Sequence, residues 1–192
     1  MKILFLGSKN IKFIEKIEKL GDEVFSREKE IHENDKILNW ADFILVYSYR
    51  FIISEAIIKR FENKIVNMHI SYLPWNKGAD PNIWSILDNT PKGVSIHYID
   101  AGIDTGPIIL QKKVKISLEE TLRQSYEKLQ ISIQKLLLDN WENIKKGNFA
   151  SFQHKDNGTF HFSKDSIKIK GNLTDGWDTT GNELIQIYSK IK

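Results

Sequence analysis

The sequence contains no cysteine. That absence excludes disulfide stapling, zinc–thiolate sites and a thiol nucleophile. Histidines occur at His32, His69, His97, His154 and His161, with no HExxH-type helical metal spacing among them. A bound metal is therefore not expected. Charge of one sign is also missing: 28 Lys+Arg stand against 25 Asp+Glu, a net of +3. That balance gives no reason to expect a nucleic-acid partner. Long apolar runs are absent too. Ile3–Leu6 is soon followed by Lys9 and Lys12, too short a run for a signal sequence, and no stretch approaches the length of a transmembrane helix. The expectation is a cytoplasmic protein with small-molecule partners and no membrane partner. No internal repeat, no low-complexity block and no GxGxxG after the first apolar run are found, and the last point argues against a nicotinamide dehydrogenase. What remains is a 192-residue chain, 41% hydrophobic and 28% charged, long enough for an α/β domain with a substantial core.

Strand and helix signals alternate through the first two-thirds of the chain. Lys2–Leu6 reads as a buried strand ending at Gly7. Ile11, Phe13, Ile14, Ile17 and Leu20 form a helical stripe closed by Gly21. Glu23–Phe25, Phe43–Tyr47 and Lys64–Ile70 read as further strands, with Ser54 as the cap of a helix running to Arg60. Pro81–Leu87 reads as a short helix, and Val94–Ile99 and Pro107–Ile116 as β-rich. Ser117 and Glu120 form a capping-box pattern ahead of a long helix to about Lys146. Leu122, Leu129, Ile133, Leu136 and Leu137 would lie on its buried side, and Gly147 would stop it. The alternation predicts an α/β fold: a Rossmann-like, mostly parallel twisted sheet with flanking helices. From Asn148 the composition turns polar. Thr159–Phe162 and Ser166–Ile169 are short β candidates, and Thr180 with Glu183 caps a last helix carrying Leu184, Ile187 and Tyr188. The expected division is a catalytic domain over 1–147 and a short C-terminal α/β extension over 148–192.

Three places have chemical potential. Asn67 and His69 are two apart on a strand and share a face, at the end where open α/β sheets bind ligands. A carboxamide beside an imidazole suits a carbonyl that becomes tetrahedral. Asp100 to Pro107 is a Gly-punctuated loop in which Asp104 would orient an imidazole or take a proton. Ser71 to Asn82 is a loop in which Trp75 would stack on a ring and Lys77 would meet a phosphate. Taken singly, the first two read more simply as structural: a strand-edge histidine beside a turn asparagine, and an aspartate serving a tight connection. The third divides evenly between ligand contact and surface packing.

Together they are more specific. NMHISYLPWNKGADPNIWS followed by GVSIHYIDAGIDTGPIILQ resembles the signature pair of the folate-dependent formyltransferases, an Asn-x-His on a strand and then an Asp-x-Gly loop, with 35 positions from His69 to Asp104. That family includes glycinamide ribonucleotide transformylase, methionyl-tRNA formyltransferase and the sugar N-formyltransferases. The resemblance covers roughly residues 1–147. It implies a formyltransferase fold, N10-formyltetrahydrofolate as co-substrate, and Asn67, His69 and Asp104 as the catalytic trio. By that likeness Asn67 and a protonated His69 stabilise the oxygen of a tetrahedral intermediate, and Asp104 maintains His69 and helps move the proton of the amine. The same likeness places the pterin against Tyr49, Arg50, Phe51, Ile52 and Ile53, and against the stretch from Tyr98 to Asp104 that holds Asp100, Gly102 and Ile103.

The acceptor is read from smaller likenesses. The purine-pathway enzyme has a Gly-Ser-rich phosphate loop after its first strand; the segment here, Gly7-Ser8-Lys9-Asn10-Ile11-Lys12, lacks the second glycine. The tRNA-formylating enzyme adds a C-terminal β-barrel, for which the present chain is too short. Ser48-Tyr-Arg-Phe-Ile, the 75–82 segment, Gly158-Thr-Phe-His161 and Gly176-Trp-Asp-Thr179 resemble the sugar-modifying members. The resemblance therefore implies formylation of the primary amine of a nucleotide-linked amino sugar, with Ser8, Trp75, Lys77, Asp80 and Trp177 as candidate acceptor contacts. The alternatives are formylation of glycinamide ribonucleotide or another small amine, or a non-catalytic folate- or nucleotide-binding module. A homodimer is a further expectation.

Overall fold

The computed structural model describes residues 1–8, 10–153 and 157–191. Lys9 and His154 thus lie outside the described residues. The order of elements is β1 (Lys2–Gly7), α1 (Ile11–Glu18), β2 (Glu23–Arg27), α2 (Ile37–Trp40), β3 (Phe43–Tyr47), α3 (Glu55–Arg60), β4 (Ile65–His69), β5 (Lys77–Gly78), α4 (Pro81–Leu87), β6 (Gly93–Tyr98), β7 (Ile108–Lys113), α5 (Leu122–Lys145), β8 (Phe160–His161), α6 (Ile167–Gly171) and α7 (Gly181–Ile191). A six-stranded sheet has the order β2-β1-β3-β4-β6-β7, and β5 pairs with β8 in a second, two-stranded sheet.

β1–β2, β1–β3 and β3–β4 are parallel. β6 and β7 run in opposite directions, because Tyr98 N donates to Pro107 O while Val114 N donates to Lys92 O. The sheet is mixed but mostly parallel, as expected. Its central strands are apolar without alternation: Ile3, Leu4, Phe5 and Leu6 are fully buried, and every residue of β3 is buried. That is the mark of strands covered on both faces. Gly7 ends β1 at φ 141°, and a Cβ there would meet Tyr47 O at 1.7 Å. No larger residue fits that strand end.

The chain packs into two compact units. The first comprises residues 1–69, 96–110 and 134–153; the second comprises 70–95, 111–133 and 154–192. In the first, Leu4, Leu6, Ile44, Val46, Ile57 and Ile65 form a core with Ile31, Leu38, Ile53 and Phe61. In the second, Ile83, Trp84, Ile86, Leu122, Ile169 and Leu184 form another. The tail thus shares a core with α4 and the first turn of α5. Among the described residues no helix is long and apolar enough to cross a membrane.

Several local readings change. Helix α5 begins at Leu122, and its capping box is Thr121 with Gln124: Gln124 N donates to Thr121 Oγ1 at 3.1 Å and Thr121 N to Gln124 Oε1 at 3.0 Å. Ser117 and Glu120 do interact, Ser117 N donating to Glu120 Oε1 at 3.0 Å, but they close a turn. The reason is the tail: Asn182 N, Gly181 N and Thr179 O bond to Leu118 O, Glu120 O and Leu122 N, which holds 118–120 out of the helix. Ser166–Ile169 is helical rather than β; Ile167 is exposed and Ile169 buried, so the two do not share the face that a strand would give them. Ile11 and Leu20 are exposed, leaving Phe13, Ile14 and Ile17 as the buried stripe of α1. Leu136 is half-buried, and the buried face of the later α5 turns is carried by Leu137, Trp141 and Ile144.

Candidate active site

β4 is buried along its length except at Asn67, which is half-buried. Strand alternation puts Asn67 and His69 on one face, and the loop between β6 and β7 brings Asp104 to them. Asn67 Nδ2 donates to Asp104 Oδ1 at 3.0 Å. His69 Nδ1 lies 3.5 Å from Asp104 Oδ2. The expected trio is therefore assembled, within the first unit.

A fourth residue joins it. His97, on β6, has Nε2 at 3.3 Å from Asp104 Oδ1 and 3.1 Å from Asn67 Nδ2. The His69 and His97 rings meet edge-on with centroids 6.5 Å apart. One carboxylate is thus faced by an amide and two imidazoles, in a pocket that leaves 10% of its side chain exposed. Sequence reasoning gave His97 no role. Its setting, V-S-I-H-Y in a buried strand, reads as core, and only strand pairing reveals its neighbours. Among the described residues no three His, Asp or Glu side chains are arranged to share a metal ion.

The loop that carries Asp104 is clamped. Asp100 Oδ1 accepts from Gly102 N at 3.0 Å and from Thr105 Oγ1 at 2.6 Å. Gly106 packs so closely under β6 that a Cβ would meet Tyr98 O at 1.9 Å. Asp104 itself sits in the left-handed region, φ 53°. That conformation costs a non-glycine residue about 1 kcal/mol or more, so the clamp must hold it. Asp100 accordingly serves the turn with that oxygen.

The segments expected to meet a pterin also lie in the first unit. Arg50, Phe51 and Ile52 are exposed after β3, as are Gly102 and Ile103 in the Asp104 loop. Ile52 is 70% exposed, and Phe51 and Ile103 each 42%. Tyr49 is different. Its hydroxyl accepts from Ile31 N at 2.9 Å and donates to Lys29 O at 3.2 Å, so its polar end is tied to its own chain, and burial pushes its phenol pKa up. Tyr98 is half-buried, with its phenol likewise raised by burial. Ser8 is exposed just past β1.

The remaining acceptor candidates belong to the second unit. Lys77 pairs with Phe160 in the two-stranded sheet, and its ammonium donates to Asn157 O at 2.9 Å. Asp80, at φ 53°, is bound by Lys170 at 2.7 Å and by the Ser166 hydroxyl. Trp75 is half-buried, and its backbone oxygen accepts from Ser71 Oγ at 2.6 Å. Trp177 is 43% exposed and meets Tyr126 edge-on at 5.4 Å. Asp80 thus locks the 75–80 segment to the tail. The same unit holds an unanticipated stack: the Trp84 and His161 rings lie parallel at 3.9 Å, with His161 Nε2 2.7 Å from Asp88 Oδ2.

Comparison with known proteins places this geometry. Residues 9–140 match a family model described as formyl transferase. The crystal structure of the formyltransferase PseJ from Anoxybacillus kamchatkensis, in complex with UDP-4,6-dideoxy-4-formamido-L-AltNAc and tetrahydrofolate, superposes with a TM-score of 0.92 at 45% identity, covering 96% of this chain and 98% of that one. Methionyl-tRNA formyltransferase of Finegoldia magna is 33% identical over 67% of this chain and 46% of its own length. The dTDP-4-amino-4,6-dideoxyglucose formyltransferase of Mycobacterium tuberculosis is 30% identical over 56% of this chain and 46% of its own. The chain thus spans about half the length of the curated relatives it matches. With the family match covering most of its residues, the chain belongs to the formyl transferase family.

Proposed function

We propose that this protein transfers a formyl group from N10-formyltetrahydrofolate to the primary amine of a nucleotide-linked amino sugar. The convergence of Asn67, His69 and Asp104 around one partly open position carries the chemistry. The acceptor class rests on the 45% identical relative, whose complex holds a UDP-linked formamido sugar with tetrahydrofolate. The exposed apolar groups of Phe51, Ile52 and Ile103 suit a flat pterin.

The co-substrate supplies an activated formyl carbon with a nitrogen leaving group. The amine nitrogen bonds to that carbon, the bond from N10 to carbon breaks, and one amine proton ends on N10. His69 directs Nδ1 at Asp104, so Nε2 is the nitrogen this reading assigns to the reacting oxygen. As imidazolium, held by the Asp104 carboxylate, it donates to that oxygen as charge grows there. Asp104 takes the amine proton, directly or through water, and returns it to the leaving nitrogen through the same path.

The test is turnover with N10-formyltetrahydrofolate and either a UDP-linked 4-amino sugar or glycinamide ribonucleotide. Formylation of the sugar amine supports the proposal. Exclusive formylation of the ribonucleotide overturns the acceptor class, and folate binding without transfer to any amine overturns the enzymatic reading.

A further inference from the structure

Within the second unit the tail folds back on the segment that begins at Pro74. Thr159 directs both its backbone groups and its hydroxyl there. Its N donates to Pro74 O at 3.3 Å, and its O accepts from Lys77 N at 3.0 Å. Its Oγ1 accepts from Asn76 N at 2.8 Å and donates to Asn76 Oδ1 at 3.1 Å. Gly158, at φ 63°, lies so close that a Cβ would meet Pro74 O at 1.8 Å. Asn76 is fully buried and sits in the left-handed region, φ 55°. Asparagine tolerates that region better than most side chains, yet only where its surroundings hold it. Here they do: besides its bonds to Thr159, Asn76 Nδ2 donates to Thr90 Oγ1 at 2.7 Å. The loop is clasped at its buried centre by a side chain 83 positions away.

The neighbours of Asn76 are Trp75 and Lys77, both half-buried and both candidate acceptor contacts. Fixing the backbone of Asn76 fixes the direction in which each side chain leaves the loop. Trp75 is held from its other side as well, its O accepting from Ser71 Oγ at 2.6 Å and its N donating to Tyr72 O at 3.2 Å. Lys77 gives one of its three N–H groups to Asn157 O of the tail. We infer that Thr159 is a positioning residue for the acceptor: through Asn76 it presents Trp75 to a ring, and Lys77 to a phosphate, of the nucleotide-linked sugar. The inference rests on the proposed acceptor class. A loop ordered before the ligand arrives spares binding the cost of ordering it, so the hydroxyl contributes to acceptor affinity without touching the acceptor. Its loss takes from a buried residue the acceptor of its N–H and a donor to its Oδ1, and the left-handed turn relaxes. The segments expected to meet the pterin belong to the first unit, so folate binding should be spared.

The test combines binding, kinetics and amide exchange. Thr159→Val keeps the shape and removes the hydroxyl; Thr159→Ser keeps the hydroxyl. At matched folded fraction, Thr159→Val should weaken calorimetric binding of a UDP-linked 4-amino sugar, and raise its KM, by about fivefold to fiftyfold. The affinity for tetrahydrofolate and kcat at saturating sugar should stay near wild type, and Thr159→Ser should restore sugar binding. In a Trp75→Ala/Lys77→Ala background, Thr159→Val should cost little more, because it acts through those side chains. Wild-type sugar affinity in Thr159→Val, equal losses for sugar and folate, no recovery in Thr159→Ser, or full additivity in the cycle each overturns the positioning role. A further arm needs no variant to fold: in wild-type protein the amides of Asn76 and Lys77 should exchange slowly before sugar is added and change little after. Fast exchange that slows only on binding overturns the preset loop. If wild type binds the sugar with these properties but does not formylate it, the proposed reaction fails and the positioning role stands. If wild type binds no UDP-linked sugar, the acceptor class and this inference fail together.

Discussion

Asp22 and Asp104 are carboxylates of the first unit, the one buried and the other half-buried. Asp22 accepts from Trp141 Nε1 at 2.6 Å and from Lys145 Nζ at 2.7 and 2.9 Å, and pairs with the amino group of Met1 at 3.0 Å. Asp104 sees longer contacts, at 3.0, 3.3 and 3.5 Å, from an amide and two imidazoles. The partners of the first are an indole N–H and two ammonium groups in tight contact. The partners of the second include two imidazoles, whose ring nitrogens can donate or accept, and its backbone is held at positive φ. The contrast separates a saturated structural charge from one left with proton-transfer capacity.

The comparison can be broken by substitution. The largest stability effect is expected at Asp22: Asp22→Ala takes from the Lys145 ammonium its buried partner, leaves it only the exposed Glu142 carboxylate and strips Trp141 Nε1 of its acceptor, and should cost about 2–3 kcal/mol by chemical denaturation, with turnover of the folded fraction preserved. The pH dependence has a defined sign. Burial alone would raise the Asp22 carboxyl, but hydrogen bonds from Lys145, Trp141 and the amino terminus outweigh it and hold it below its ordinary 3.8. Its stabilisation is thus complete above that value and lost as pH falls beneath it. Burial likewise opposes Lys145, whose bonds to Asp22 and Glu142 win and raise it above 10.5, so its share is lost as pH rises beyond that. Asp22→Asn should flatten the acid limb of an unfolding-versus-pH curve; an unchanged limb would show that Asp22 does not generate it.

Next in size, Asn67→Ala, His69→Ala and Asp104→Ala should each reduce turnover by about a hundredfold or more, with a smaller loss of stability than Asp22→Ala. Near wild-type rates in all three would remove the functional half of the contrast.

The sequence revealed these two carboxylates unequally. Asp104 was legible because its Gly-flanked loop follows the Asn67–His69 strand in a pattern shared with known formyltransferases. Asp22 lies among surface-like residues between Gly21 and β2, and its partners are 119 and 123 positions away. Nothing local marks it. His97 stayed hidden for the same reason. The start of α5 failed differently: Ser117/Glu120 and Thr121/Gln124 both satisfy a capping pattern, and only the pairing of Thr121 with Thr180 in the tail selects the second. Ile167 and Ile169 could be read with either period, and burial of Ile169 alone decided for a helix. The Ser54 and Thr180 caps, by contrast, lie where local pattern and tertiary packing agree.

The smallest expected effects sharpen that point. Thr121→Ala should destabilise by about 1 kcal/mol as a lost helix cap, and Ser117→Ala by less. Equal losses in thermal denaturation would return the helix start to Ser117.

The most direct measurement is single-turnover transfer from N10-formyltetrahydrofolate to a UDP-linked 4-amino sugar, followed by mass spectrometry of the sugar, for wild type and Asp104→Asn at matched folded fraction. The expected result is a formylated sugar from wild type and a rate lower by about a hundredfold in the variant. Equal rates in the two proteins, or no formylated sugar from wild type with both substrates bound, would contradict a catalytic cluster at Asp104.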